Sequence, residues 1–207
     1  MRFTVTRYAV LIALVALQIL ASYSVYFRFQ RWLSTPGRNL VSALDKWFSY
    51  DPRWVWVYTV VYYLGFFSVI PTVVSLRQYA ILASSYVLLL AGQLLIFLRY
   101  PVETPEEWRV RSASGPSEAL LMLVQRFDRR STCFPSFHMS AATLTACHLS
   151  ASSMQVAPLA IGYAIAVGFS ALFTKQHCVW DVIAGVAMGI LVFAGFTVYS
   201  AALGCYS

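Results

Sequence analysis

Residues 131–154 read STCFPSFHMSAATLTACHLSASSM. The stretch leaves a polar loop through Pro135 and Ser136 and enters an apolar run rich in Ser, Thr and Ala. Small and hydroxylated residues let helix backbones approach closely, so the run over 137–154 is expected inside a bundle rather than on a wall facing lipid. An interior helix needs neighbours. Five further apolar runs, at about 8–27, 54–75, 79–98, 157–174 and 179–201, supply them. Most of these approach the length that crosses a hydrocarbon core. Backbone N–H and C=O groups cannot be left unpaired in lipid, so each run is expected to be helical. The expected fold is all-α: one domain over 1–207, built as a bundle of six transmembrane helices.

Composition supports the membrane class. The chain is 59% hydrophobic and 11% charged, with mean hydropathy +0.67, whereas a soluble domain is about 25% charged. The first apolar run follows Arg2 and Arg7, as in a signal peptide. It lacks a small-x-small cleavage site, and at roughly 20 residues it is long enough to span, so it reads as the first transmembrane helix. The net charge of +7 is spread between the apolar runs. That placement suits anionic headgroups or a phosphate ligand and gives no nucleic-acid surface. The four cysteines, Cys133, Cys147, Cys178 and Cys205, make no C-x-x-C pair and no zinc spacing. Free thiols are the expectation, with a Cys133–Cys178 disulfide as the alternative in an oxidising compartment.

Two connections are long. In 28–53, Pro36-Gly37 marks a turn, and NLVSALDKWF has helical apolar spacing. A short interfacial helix between the first two spans, with Trp47 and Phe48 dipping into the membrane, is the expectation. The connection 99–136 is polar and carries six arginines, among them Arg129 and Arg130. An even number of spans puts both termini on one face. The third and fifth loops then share the other, so the Pro-Ser-Phe-His run and Thr174–Asp181, TKQHCVWD, are free to meet. Of the Lys and Arg residues only Arg2, Arg7 and Arg77 fall on the terminal side. The positive-inside rule would put the motifs in the cytoplasm. Charges kept for a phosphate are not free topology signals, so the protein reads as multi-pass with the side of the motifs left open.

His177 and Asp181 are four residues apart, one helical turn if the last helix begins near His177. The carboxylate is expected to fix one ring tautomer and leave the other nitrogen as nucleophile or base. The structural alternative is an ordinary helix-start pair. Ser136 is expected to cap the fourth helix, whose free N–H groups attract anions. His138, when protonated, can give a proton to a leaving oxygen; alone, it reads equally as a histidine at headgroup level. Together these residues form a layout for phosphoryl transfer through a phosphohistidine, which needs positioning and charge neutralisation. No carboxylate or Cys/His cluster suggests a metal, and no cofactor is expected.

FDRRSTCFPSFHMSAA and SALFTKQHCVWDVIAG resemble the second and third motifs of the type 2 phosphatidic acid phosphatase superfamily, P-S-G-H and S-R-x5-H-x3-D. The wording resembles most the branch of inositol phosphorylceramide synthase. By position, the resemblance implies His177 as nucleophile, Asp181 as its partner, His138 as the acid and Ser136 as a phosphate ligand. Phe137 stands in place of glycine but keeps its N–H for the phosphate. Ala171 stands where the pattern has arginine, with Lys175 as the nearest compensating charge. The family's first motif, K-x6-R-P, is absent. YPVETPEEWRVR is its stand-in, with Arg109 ahead of Arg111 and Arg99. Taken singly, each of these arginines reads more readily as a surface or headgroup contact. His148, ten residues after His138, is expected as a packed, hydrogen-bonded core histidine, and Asp128 as a brace for the arginines.

The leading expectation is a metal-independent membrane lipid phosphatase acting on a lipid phosphate or pyrophosphate. The nearest rival is a phosphotransferase that moves a phospho-headgroup to an alcohol. A non-catalytic anionic-lipid binder or transporter is the alternative of another class. The partners are a phosphorylated lipid and the bilayer.

Overall fold

The computed structural model describes residues 2–33, 37–128 and 131–202. The Pro36 turn, the charges of Arg129 and Arg130, and Cys205 lie outside the described residues. The described chain is helical, with only two isolated bridges, Arg38 to Val102 and Val102 to Thr132, in place of sheet. Its α-helices are α1 (Arg2–Trp32), α2 (Tyr62–Phe67), α3 (Leu76–Arg99), α4 (Pro116–Phe127), α5 (Phe137–Ser152), α6 (Ala157–Phe173) and α7 (Val179–Ala202).

All six apolar runs are helical. Four helices are long and apolar enough to cross a membrane: Val5–Trp32, Pro52–Thr72, Leu76–Arg99 and Val179–Ala202. Helices α5 and α6 have 16 and 17 residues, and at 1.5 Å per residue each covers about 25 Å. The second of the long helices is irregular. A 3-10 turn at Pro52–Trp54 leads into a π-turn at Val57–Val61, then α2, then a second 3-10 turn at Ile70–Thr72. Extra residues per turn in a π segment shift the faces that follow; here Tyr58 and Tyr62 are both fully buried.

Helix α5 is the hub, in keeping with its small residues. Twelve of its side chains are buried, and it packs on both α6 and α7. Its closest approach to α7 runs over Gly185 and Gly189. A Cβ at Gly185 would lie 2.8 Å from the Ser136 carbonyl oxygen, and one at Gly189 would lie 2.6 Å from that of Ser140. A glycine at four-residue spacing is the usual way for two apolar helices to touch backbones. Some polar side chains pair inside the bundle: Gln93 Nε2 donates to Ser140 Oγ at 2.7 Å, and Ser85 Oγ lies 2.9 Å from His148 Nε2, while Gln93 Oε1 and Thr143 Oγ1 have no hydrogen-bond partner among the described residues.

Two expectations change. The short helix in NLVSALDKWF is a single 3-10 turn, Ala43–Trp47. Its Trp47 is 78% exposed, while Phe48 packs against Phe169 and Phe173 rather than outward. The connection 99–136 is not all loop but holds α4. Pro116 opens that helix, Glu118 sits in its first turn and Arg126 in its last, the charge order a helix dipole favours. Leu121 faces the interior, and Leu123 and Phe127 are exposed.

Candidate active site

Three loops cross at one end of the bundle. Arg38 N–H donates to the Pro101 carbonyl at 2.9 Å, Glu103 N–H to Arg38 at 2.8 Å, and Cys133 N–H to Val102 at 3.1 Å. Asp51 N–H donates to the Phe173 carbonyl at 3.0 Å, which ties the end of α6 to the same region. The two histidine motifs meet here. Ser136 N–H donates to the Asp181 carbonyl at 2.9 Å, and Cys133 offers its carbonyl to His177 Nδ1 at 3.1 Å.

Residue 177 owes its place to the turn that ends α6. Lys175 has φ 58°, in the left-handed region, and the N–H groups of Gln176 and His177 reach back to the Ala171 carbonyl at 3.0 and 3.2 Å. Reverse bonds across a left-handed residue are a common helix ending, and here they aim His177 inward. A carbonyl can only accept, so Nδ1 carries the proton and Nε2 of neutral His177 keeps its lone pair. The expected Asp181 hydrogen bond is displaced. Asp181 Oδ2 lies 3.6 Å from Nδ1, ion-pair range, because that oxygen accepts the Cys178 N–H at 2.8 Å. Asp181 is fully buried, and its Oδ1 has no hydrogen-bond partner among the described residues.

His138 sits in the first turn of α5. Ser136 is the N-cap, its Oγ accepting the Met139 N–H at 3.3 Å. First-turn N–H groups, those of Phe137 and His138, have no intrahelical acceptor. The His138 ring stacks on Tyr58 with centroids 4.0 Å apart and lies 4.4 Å from Tyr62. Tyr58 Oη is 3.1 Å from His138 Nδ1, so Nε2 is again the nitrogen left over. The two imidazole centroids are 6.4 Å apart, and both residues are nearly closed off from solvent, at 9% and 5% exposure.

The basic residues are placed differently. Lys175 Nζ donates to the Asp45 carbonyl at 3.0 Å and lies 5.0 Å above the Trp108 ring. Partial burial pushes its ammonium below the usual lysine range. Arg109 donates to the carbonyls of Gln125 and Asp128, closing the C-terminal end of α4. Both residues line a polar hollow of about 390 Å³ together with Tyr50, Trp108 and Arg111. The structure therefore brings together His177, Asp181, His138, Ser136 and Phe137. Lys175 and Arg109 lie nearby, turned onto backbone carbonyls. Arg99 and Arg111 are exposed.

Other groups fall into place around this set. Asp128 accepts hydrogen bonds from Gln30 Nε2 and Tyr26 Oη. Burial pushes its carboxyl above the usual range, opposed by the Gln30 bond and then by the neighbouring His177 and Arg109. No disulfide joins Cys133 to Cys178, and burial pushes both thiols up, away from the reactive thiolate. His148 is a core residue held by Ser85 against Phe193 and Phe196.

Sequence reasoning missed Tyr58 and Asp45. Tyr58 is one of several aromatic residues in its run, beside Trp54, Trp56, Tyr62, Tyr63, Phe66 and Phe67, so the sequence does not single it out; nothing local marks Asp45. A hollow of about 230 Å³, walled by Tyr23, Tyr26, Phe27, Tyr63 and Phe127, opens onto His138 and Asp128. No family model matches this chain, and no curated protein or solved structure matches it.

Proposed function

We propose that the protein is a multi-pass membrane phosphatase acting on a lipid phosphate or pyrophosphate, without a metal, through a phosphohistidine. The observation that carries this reading is the hydrogen bond from His177 Nδ1 to the Cys133 carbonyl. It leaves a lone pair on Nε2 in an enclosed site whose other histidine lies 6.4 Å away, ring to ring. In this reading all six long apolar segments cross the bilayer, with α5 and α6 shielded by their neighbours.

His177 Nε2 attacks phosphorus, and the bond from phosphorus to the lipid oxygen breaks. His138, protonated once the anionic substrate lies beside it, passes its Nε2 proton to that oxygen. Its Nδ1–H stays on the Tyr58 oxygen, so proton exchange is confined to Nε2. Water then attacks the phosphohistidine, gives a proton to His138 Nε2, and the phosphorus–nitrogen bond breaks to release phosphate. Ser136 and the first-turn N–H groups of α5 are suited to the phosphoryl oxygens. Asp181 offsets the positive charge that His177 acquires. The oxygen protonated by His138 carries the lipid, and the aromatic hollow beside His138 has the lining that hydrocarbon needs. No three His, Cys, Asp or Glu side chains converge among the described residues in a way that would hold a metal ion.

The phosphotransferase reading uses the same first step, with an alcohol in place of water. The test is purified protein with a panel of phospholipids, lysophospholipids and polyprenyl pyrophosphates, assayed with EDTA. Free phosphate that survives EDTA and disappears in His177→Asn supports the proposal. A headgroup moved onto an added alcohol supports the transferase. Loss of turnover in EDTA overturns the metal-free mechanism. Lipid binding without turnover, equal in wild type and His177→Asn, overturns catalysis altogether.

A further inference from the structure

Asp45 is an acidic side chain only 4% exposed, on a 3-10 turn far from both histidine motifs in sequence. A buried carboxylate is costly unless its oxygens are well used. Asp45 Oδ1 accepts the Val179 N–H at 2.8 Å. Its Oδ2 accepts the Ser42 N–H at 2.7 Å and the Ser42 hydroxyl at 2.9 Å. Its main-chain carbonyl accepts Lys175 Nζ at 3.0 Å. The residue thus grips the chain on both sides of His177, at 175 and at 179. We infer that Asp45 is a positioning residue for His177, setting the ring against the Cys133 carbonyl by anchoring the start of α7; this rests on the phosphohistidine reading for its catalytic meaning.

Val179 is the first residue of α7, and its N–H has no intrahelical acceptor. A carboxylate there satisfies that donor and interacts with the positive end of a helix of 24 residues. The same contact occupies the end of α7 with protein charge, which directs a phosphate to the start of α5 instead. Ser42 holds the carboxylate from behind and so fixes its direction toward α7. Without Asp45 the start of α7 keeps the Ser136 bond to the Asp181 carbonyl but loses the anchor at Val179, and Lys175 loses neighbouring negative charge. His177 then keeps its Ala171 backbone bond but not a fixed distance to Cys133.

The test compares Asp45→Ala, Asp45→Asn and Ser42→Ala in the purified full chain. The chain has three histidines, so with ¹⁵N-labelled histidine each ring is resolved, and His177→Gln assigns the signal of residue 177. Wild type is expected to show the Nδ1–H tautomer at His177. Asp45→Ala is expected to mix the tautomers and to lower kcat per folded molecule about tenfold to a hundredfold with KM little changed. Asp45→Asn keeps one oxygen for Val179 and should recover part of the loss. Ser42→Ala should give a smaller loss and keeps the test alive if Asp45→Ala does not fold. Unchanged His177 nitrogen shifts in the folded Asp45 variants overturn the inference, as does an unchanged kcat. If wild type turns over no lipid phosphate, the phosphatase reading falls, and the nitrogen shifts alone decide whether Asp45 fixes the ring.

Discussion

His177 and His138 are chemically alike but held by different partners. The Cys133 carbonyl forces a proton onto one nitrogen of His177, whereas Tyr58 can give or accept and so tolerates His138 in either charge state. If His177 is the proposed nucleophile, replacing it by alanine is expected to lower turnover at least about a thousandfold, since the proposed covalent step would have no substitute. Tyr58→Phe keeps the stacked ring and loses only the hydroxyl. A hydrogen bond to a charged group is worth about 1.5–3 kcal/mol, so kcat should fall about tenfold to a hundredfold, read in steady-state phosphate release. Asp128 gives a test by pH. Burial raises its folded-state pKa, so its contribution to stability is most favourable at acid pH and declines as pH rises through that value. Asp128→Asn, which keeps an acceptor for Gln30, should therefore gain melting temperature over wild type as pH goes from 4 to 8. A constant difference across that range would mean that the carboxyl is not perturbed.

The helices that build the site are joined by contacts a local pattern does not reveal. The wall between α5 and α7 depends on Gly185 and Gly189, each in contact distance of a backbone carbonyl. Gly189→Leu must move the helices apart or strain Thr143, an overpacking cost of about 1–3 kcal/mol. Its melting temperature in detergent should fall. Because His177 lies two residues before the start of α7, turnover should fall with it. Gly162 has open space at its Cβ position, so Gly162→Ala is the matched control and should leave both unchanged. The irregular turn at Val57–Val61 plays a related part, since Tyr58 and Tyr62 must both reach the His138 ring.

How much of this was legible depends on the distance over which each contact acts. Every apolar run was visible because hydrocarbon burial leaves its mark residue by residue, and the hub role of α5 followed from its small side chains. The union of the two histidine motifs was visible because loop parity allowed it. Asp45 was not, since its partners Lys175 and Val179 lie across the fold; nor was α4, whose apolar stretch 119–124, ALLMLV, is far shorter than a membrane span. The Asp181 hydrogen bond was misjudged because spacing gives a face, not the competing Cys178 N–H. Loop parity also has a consequence for the entire chain. The C-terminal ends of α1, α3 and α6 gather with the motifs, through the bonds of Arg38 to Pro101 and Asp51 to Phe173. If all six apolar helices cross, both termini must lie on the face opposite the motifs. Helix α5 is the shortest of them at 16 residues, below the roughly 20 that a lone span needs. Its surroundings are protein, so its polar ends need not reach bulk water to be satisfied. Tags at both termini should be cut by protease from one side of sealed vesicles, and a cysteine at Arg111→Cys should be labelled from the other. Termini cut from opposite sides would leave an odd number of crossings, and α5 would then be the helix that turns back inside the bundle.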